Sequence, residues 1–246
     1  MQIIPVLDIL DGVVVHGYKG ERDRYRPIKS AIIDSPDPLH VAEILLGITA
    51  NKDMYVADLN ALQKDGDNLS ILKDLQKTTG VTLWIDAGTG TVEQVLFLLE
   101  NVPNCKAVIG SETLETPGDF YKITSDCPTD RMVFSLDIKN GVLLTPENSP
   151  FRNSPVEEGV DLLAQKGWRD IILLTLDGVG TRKGLPTDLL RRCFRAAPEI
   201  RLFAGGGLRS HDELAGLKGA GVAGILTASA LHEQWLTRKD ISEIEV

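Results

Sequence analysis

The chain has 246 residues, 43% of them hydrophobic and 25% charged, a balance typical of soluble globular proteins and unlike that of disordered chains. Its net charge of −9 argues against a general nucleic-acid or anionic-membrane surface, since either needs an excess of Lys and Arg. Cys105, Cys127 and Cys193 are widely spaced and form no CxxC pair, which speaks against a disulfide framework or a zinc knuckle and for packing cysteines in a reducing compartment.

No apolar run approaches the length of a membrane span, and Met1-Gln2-Ile3-Ile4 enters an apolar stretch with no basic region or cleavage site, so a cytoplasmic protein is expected. The first element is the apolar run Ile4 to Asp8, which ends in a carboxylate and is followed by Asp11-Gly12 and three valines. Tyr18 to Ser30, with Lys19, Arg22, Arg24, Arg26 and Lys29, reads as a charged loop able to close over a ligand. A helix is predicted over Pro38 to Thr49, and then a strand over Met54 to Asp58 that again ends in an acid.

The alternation continues. Helices are predicted over Leu69 to Thr78 and Thr91 to Glu100, with strands at Thr82 to Asp86 and Lys106 to Gly110. Further strands are predicted at Met132 to Asp137, Asp170 to Leu174, Arg201 to Ala204 and Ala223 to Thr227. Helices near Val156 to Gln165, Asp188 to Ala196 and Asp212 to Ala220 separate them. Strict alternation requires parallel strands, and eight such units in one domain favour closure into a (β/α)8 barrel, an α/β fold, over an open sheet.

An internal repeat supports closure. Leu7-Asp8-Ile9 with Gly12-Val13 recurs as Leu136-Asp137-Ile138 with Gly141-Val142, and Leu83 to Gly88 aligns with Leu202 to Gly207. We therefore expect one barrel over residues 1–246, built from half-barrels of about 1–125 and 126–246. Asp11 and Asn140 read as turn residues before a glycine.

Active sites of such barrels lie at the C-terminal strand ends, which here carry Asp8, Asp58, Asp86, Ser111, Asp137, Thr175 with Asp177, Gly205-Gly206-Gly207 and Ala228-Ser229. Strands one and five face each other across an eight-stranded mouth, so Asp8 and Asp137 are the candidate acid and base. Asp58, Asp86, Ser111, Thr175, Asp177 and His16 are further candidates for catalysis or substrate binding, although an Asp in such a place equally caps a helix or a loop amide. The glycines after strand seven and Ala228-Ser229 after strand eight are candidate phosphate ligands through their backbone N–H groups, although three glycines also make a tight turn. Gly178 to Gly184 reads as a flexible active-site loop and lacks the ending of a P-loop. His40, His211 and His232 show no metal-ligand spacing, so neither metal nor cofactor is implied.

Taken together, Ile4-Pro5-x-x-Asp8, Asp58-Leu59, Val133-x-Ser135-Leu136-Asp137, Thr175 to Gly184, Ala204-Gly205-Gly206 and Ala228-Ser229-x-x-His232 resemble the histidine-biosynthesis barrel family, over almost the whole chain. That family includes the ProFAR isomerase, which performs an Amadori rearrangement, and the cyclase subunit of imidazole-glycerol-phosphate synthase. The chain most resembles a branch related to the ProFAR isomerase in archaea and C1-metabolising bacteria. The resemblance implies that Asp8 and Asp137 serve as acid and base, and that glycine loops hold substrate phosphate.

Three places depart from the family pattern. The loop after strand three is Asp86-Ala87-Gly88-Thr89-Gly90 where the relatives have a Gly-Gly-Gly phosphate loop, so that end of the substrate is expected to lack phosphate and to offer Asp86 a hydroxyl or amine. After strand six, Val179 precedes Gly180-Thr181 where the relatives carry an acid, leaving Asp177 upstream, and the basic residue beyond strand one is His16. The expected function is isomerisation of a phosphorylated ribosyl or aminosugar metabolite. The histidine-pathway isomerase itself, and a non-catalytic phosphometabolite-binding barrel or complex subunit, are the alternatives. The expected partner is a small phosphorylated substrate, and a homo-oligomer is compatible with the sequence.

Overall fold

A computed structural model describes residues 1–245, with the side chains of Arg22 and Glu245 outside the description. The eight predicted strands form, in order, as β1 (Gln2–Leu10), β4 (Asp53–Asp58), β5 (Thr82–Asp86), β6 (Cys105–Gly110), β7 (Met132–Lys139), β9 (Asp170–Thr175), β10 (Arg201–Gly205) and β11 (Val222–Thr227). Each is parallel to its neighbours, and β11 pairs with β1 from Gln2↔Gly224 to Pro5↔Thr227, which closes the sheet into a barrel. Three short strands lie outside the predicted set: β2 (Val13–His16), β3 (Arg26–Pro27) and β8 (Val142–Leu143).

Helices cross between strands on the outside: α1 (Pro38–Thr49), α2 (Leu59–Gln63), α3 (Leu69–Thr79), α4 (Val92–Asn101), α5 (Pro117–Asp126), α6 (Val156–Gln165), α7 (Thr187–Ala196) and α8 (Glu213–Gly219). The chain continues through α9 (Ser229–His232) and α10 (Arg238–Glu245). Their boundaries follow local chemistry. Asp37 caps α1 by accepting from the His40 N–H ahead of Pro38, and Thr91 with Gln94 makes a capping box on α4.

The period-two alternation of the strands sorts side chains into two cores. Ile4, Tyr55, Trp84, Val133, Ile172 and Phe203 fill the barrel interior. Their sequence neighbours Ile3, Val56, Ile85, Phe134, Leu173 and Ala204 pack outward against helix residues such as Leu45, Leu72 and Leu163. At the N-terminal end the interior carries charge: Asp170, 3% exposed, accepts from Lys106 Nζ at 2.5 Å and from Arg201 Nε and Nη2 at 2.6 Å each. Lys106 lies over Trp84, Arg201 over Phe203, and the two rings meet edge to face at 4.8 Å. Trp84 and Phe203 occupy aligned positions of the sequence repeat.

The repeat around Asp8 and Asp137 is two hairpins. β1 turns into β2 through Asp11-Gly12, with φ of 51° and 80°, and β7 turns into β8 through Asn140-Gly141, with φ of 53° and 80°. Two-residue loops with both φ positive are the turn that Asp-Gly and Asn-Gly favour, because it matches the twist of the flanking strands. Both barrel strands thus run past their catalytic-candidate Asp before folding back.

Candidate active site

A cavity of about 650 Å³ opens at the C-terminal end of the barrel, with a lining residue in or just beyond each of the eight strands. Asp8, His16, Asp86, Asp137, Gly205, Gly206, Gly207, Ala228 and Ser229 all line it. The two acids of the repeat therefore share one chamber.

Asp137 is held in place. The Ser135 hydroxyl donates to its Oδ1 at 2.8 Å, and its backbone N–H donates to Ser111 Oγ at 3.1 Å. Ser135 lies two residues back on the same strand face, which is why Ser-x-Asp is a spacing that orients the carboxylate. Asp8 is confined by β2 and the chain beyond it: a Cβ added at Gly17 would stand 2.6 Å from Asp8 Oδ2. Gly17→Ala is accordingly expected to displace the Asp8 carboxylate, lowering activity with little loss of thermal stability, which paired turnover and melting measurements would check.

Sequence reasoning missed Tyr55, which lies in an apolar run and reads there as core. Its hydroxyl donates to Asp86 Oδ2 at 2.9 Å. Burial, then the charges of Asp86, Asp137 and Asp8, hold its proton on well above the ordinary tyrosine range. Lys139, Glu112 and Arg182 also line the cavity, and all three stand on loops or strand ends where charge looks merely solvated in sequence.

Four sequence candidates lie elsewhere. Asp58 is 1% exposed and points outward, because it is one residue out of step with the inward Tyr55 and Ala57. Its carboxylate accepts from the Ala61 N–H, the Asn68 N–H and Asn68 Nδ2, so it caps α2 and anchors the next loop. Ser111 is a bracket between strands, accepting from Asp137 N and donating to the Leu144 carbonyl. Thr175 follows the inward-facing Leu174 and is absent from the cavity wall, its buried hydroxyl having no partner among the described residues. Asp177 accepts from the Asn140 N–H at 3.2 Å and ties the turn after β9 to the β7–β8 hairpin.

The glycine run is explained first by packing. A Cβ at Gly206 would lie 2.1 Å from the Thr175 carbonyl oxygen and one at Gly207 2.5 Å from that of Gly178, with φ of +94° at both. Two loops could not approach so closely with side chains. Among the described residues, no loop or turn hydrogen bond uses the N–H of Gly206, Gly207 or Ser229, and these three residues line the cavity. Arg182 also lines this side, paired with Glu233 and stacked over Trp235 at 4.8 Å.

The loops after β2 and β9 meet over the mouth, where the Lys19 N–H donates to the Val179 carbonyl at 3.0 Å. The charged stretch that reads as a loop holds a 3-10 turn at Arg22–Arg24 and the strand β3, and Gly20, Glu21, Asp23 and Tyr25 face the cavity.

The sequence matches the model of a family described as histidine biosynthesis protein over residues 2–237. An uncharacterized protein of Methanocaldococcus jannaschii is 30% identical, covering 98% of this chain and 97% of that one. This chain belongs to the histidine biosynthesis protein family. Two further family relatives, from Methanococcus maripaludis and Deinococcus radiodurans, are each 25% identical. They cover 99% of both chains and 94% of both chains, respectively. Both carry the name 1-(5-phosphoribosyl)-5-((5-phosphoribosylamino)methylideneamino)imidazole-4-carboxamide isomerase, the ProFAR isomerase.

The stretch Ala228-Ser229-x-x-His232 also has a structural element in it. His232 is 4% exposed, its Nδ1 lies 3.2 Å from Ser30 Oγ, and its carbonyl accepts from the Ala31 N–H. Burial, then the neighbouring His16, lowers its pKa to about 4. The folded state disfavours the protonated ring, so its contribution is complete above the unfolded value of about 6.5 and falls as pH drops from there toward about 4. Melting temperatures measured across that window should decline with acidity, and His232→Gln should flatten the decline.

Proposed function

We propose that this family member is an isomerase of a phosphorylated ribosyl or aminosugar metabolite, working by acid–base chemistry of the Amadori type. The observation that carries the reading is that Asp8 and Asp137, equivalent in the repeat and each followed by the same hairpin, line one cavity. A substrate held between them has one carboxyl group to protonate its ring oxygen and one carboxylate to take the proton from C2, which opens the ring and moves the carbonyl without change of composition. Either acid can play either part. The reaction needs no cofactor.

The substrate phosphate sits at Gly205, Gly206, Gly207, Ala228 and Ser229, where the N–H groups of Gly206, Gly207 and Ser229 serve no loop or turn hydrogen bond among the described residues, with Arg182 on the same wall. Oriented amide donors supply an anion site without the desolvation cost of burying a lysine. Among the described residues no helix is long and apolar enough to cross a membrane, and the three cysteines are buried thiols, in keeping with a cytoplasmic enzyme.

A second reading, the ProFAR isomerase itself, is favoured by the names of relatives aligned end to end. Expression in a strain that lacks its own ProFAR isomerase separates the two. Failure to restore growth without histidine, alongside purified protein that isomerises another phosphosugar, supports the first reading, and prompt growth establishes the second.

A further inference from the structure

One stretch of the mouth recurs in the second half of the chain without its carboxylate. Asp86-Ala87-Gly88 of the loop after β5 aligns with Gly205-Gly206-Gly207 of the loop after β10. The strands bear this out: Asp86 pairs with Ala57 of the preceding strand as Gly205 pairs with Leu174 of its own, and Trp84 and Phe203, two residues back, meet in the barrel. The half that presents glycine leaves amide donors for a ligand. The half that presents Asp86 engages the Gly88 amide itself.

Asp86 Oδ1 accepts from the Gly88 N–H at 3.3 Å, and Gln94 Oε1 accepts from the N–H groups of Gly90 at 2.9 Å and Thr91 at 3.2 Å. Asp86 Oδ2 takes the Tyr55 hydroxyl, which reaches it from the diagonal position on β4, where Tyr55 pairs with Trp84. The carboxylate thus accepts a loop amide on one oxygen and a phenol on the other, as two oxygens of a phosphate would. Tyr55 is 5% exposed, so the pair sits where like charges repel more strongly than in water.

We propose that Asp86, held by Tyr55 and Gly88, is a built-in anion occupying the place of a second phosphate, so that the site accepts sugar monophosphates and rejects bisphosphates. The inference rests on the reading of the β10 and β11 loops as a phosphate site and specifies its substrate class. The filter is a rejecting element rather than an attracting one, which is how a site separates ligands that share a common half.

Calorimetric titration of the full chain with ribose 5-phosphate and ribulose 1,5-bisphosphate tests it. The wild-type protein is expected to bind the monophosphate more tightly by about tenfold or more, and Asp86→Gly, which copies Gly205, to move that ratio toward the bisphosphate by about tenfold. Asp86→Asn, which keeps the shape and removes the charge, should move it the same way and covers the case in which the glycine variant misfolds. Equal or tighter wild-type binding of the bisphosphate overturns the proposal, and so does an unchanged ratio in the folded variants. No heat from either ligand overturns the phosphate reading beneath it, a different failure from equal binding.

Discussion

Asp8→Asn and Asp137→Asn are each expected to lower turnover by about a hundredfold to ten-thousandfold, the range that a positioned acid or base contributes. The asparagine keeps the shape of the carboxylate and, at position 137, keeps an oxygen for the Ser135 hydroxyl, so the barrel should fold as before. The single variants should be nearly as impaired as the double one, because a proton-transfer pair acts as a unit and its losses do not add. Steady-state rates on the substrate that supports activity, with circular dichroism as a folding control, measure this. Full turnover in either variant would remove that residue from the chemistry.

At the opposite end of the barrel, Asp170→Ala is expected to cost about 3–5 kcal/mol of stability, because it strands two cations whose shared partner is buried. For a chain of this size that corresponds to a fall of roughly 6–20 °C in melting temperature. The Arg201 side chain is 54% exposed and can turn toward water, which favours the lower part of the range. Replacing Lys106, Asp170 and Arg201 together with apolar residues of similar volume should recover most of the loss, since a buried ion triad often contributes little beyond a well-packed apolar core. A melting temperature within about 2 °C of wild type for Asp170→Ala would show that the cations find other partners.

The barrel was legible because its strands announce themselves as apolar runs ending in polar residues, and most predicted boundaries fall within a residue of those observed. The short strands β2, β3 and β8 were not legible, since two to four residues carry too little pattern, although Asp11-Gly12 and Asn140-Gly141 marked their turns. Helix α5 escaped because Gly118 and polar residues dilute its apolar face to Phe120 and Ile123.

Parity explains most of the rest. Asp8, Asp86 and Asp137 are in step with inward residues of their strands, whereas Asp58 is out of step with Tyr55 and Ala57, a signal present in the sequence once strand faces are assigned. Tyr55 carried no such mark. A tyrosine among Met54, Val56 and Ala57 looks like packing, and its function depends on a carboxylate 31 residues away.

The shut floor of the barrel has a kinetic consequence. Trp84 and Phe203 meet across the axis above the Lys106–Asp170–Arg201 cluster, so nothing passes through the barrel. Traffic is confined to the mouth, beside the Lys19 to Val179 bridge between loops. Product then departs by the door through which the next substrate arrives, and accumulated product should act as a competitive inhibitor.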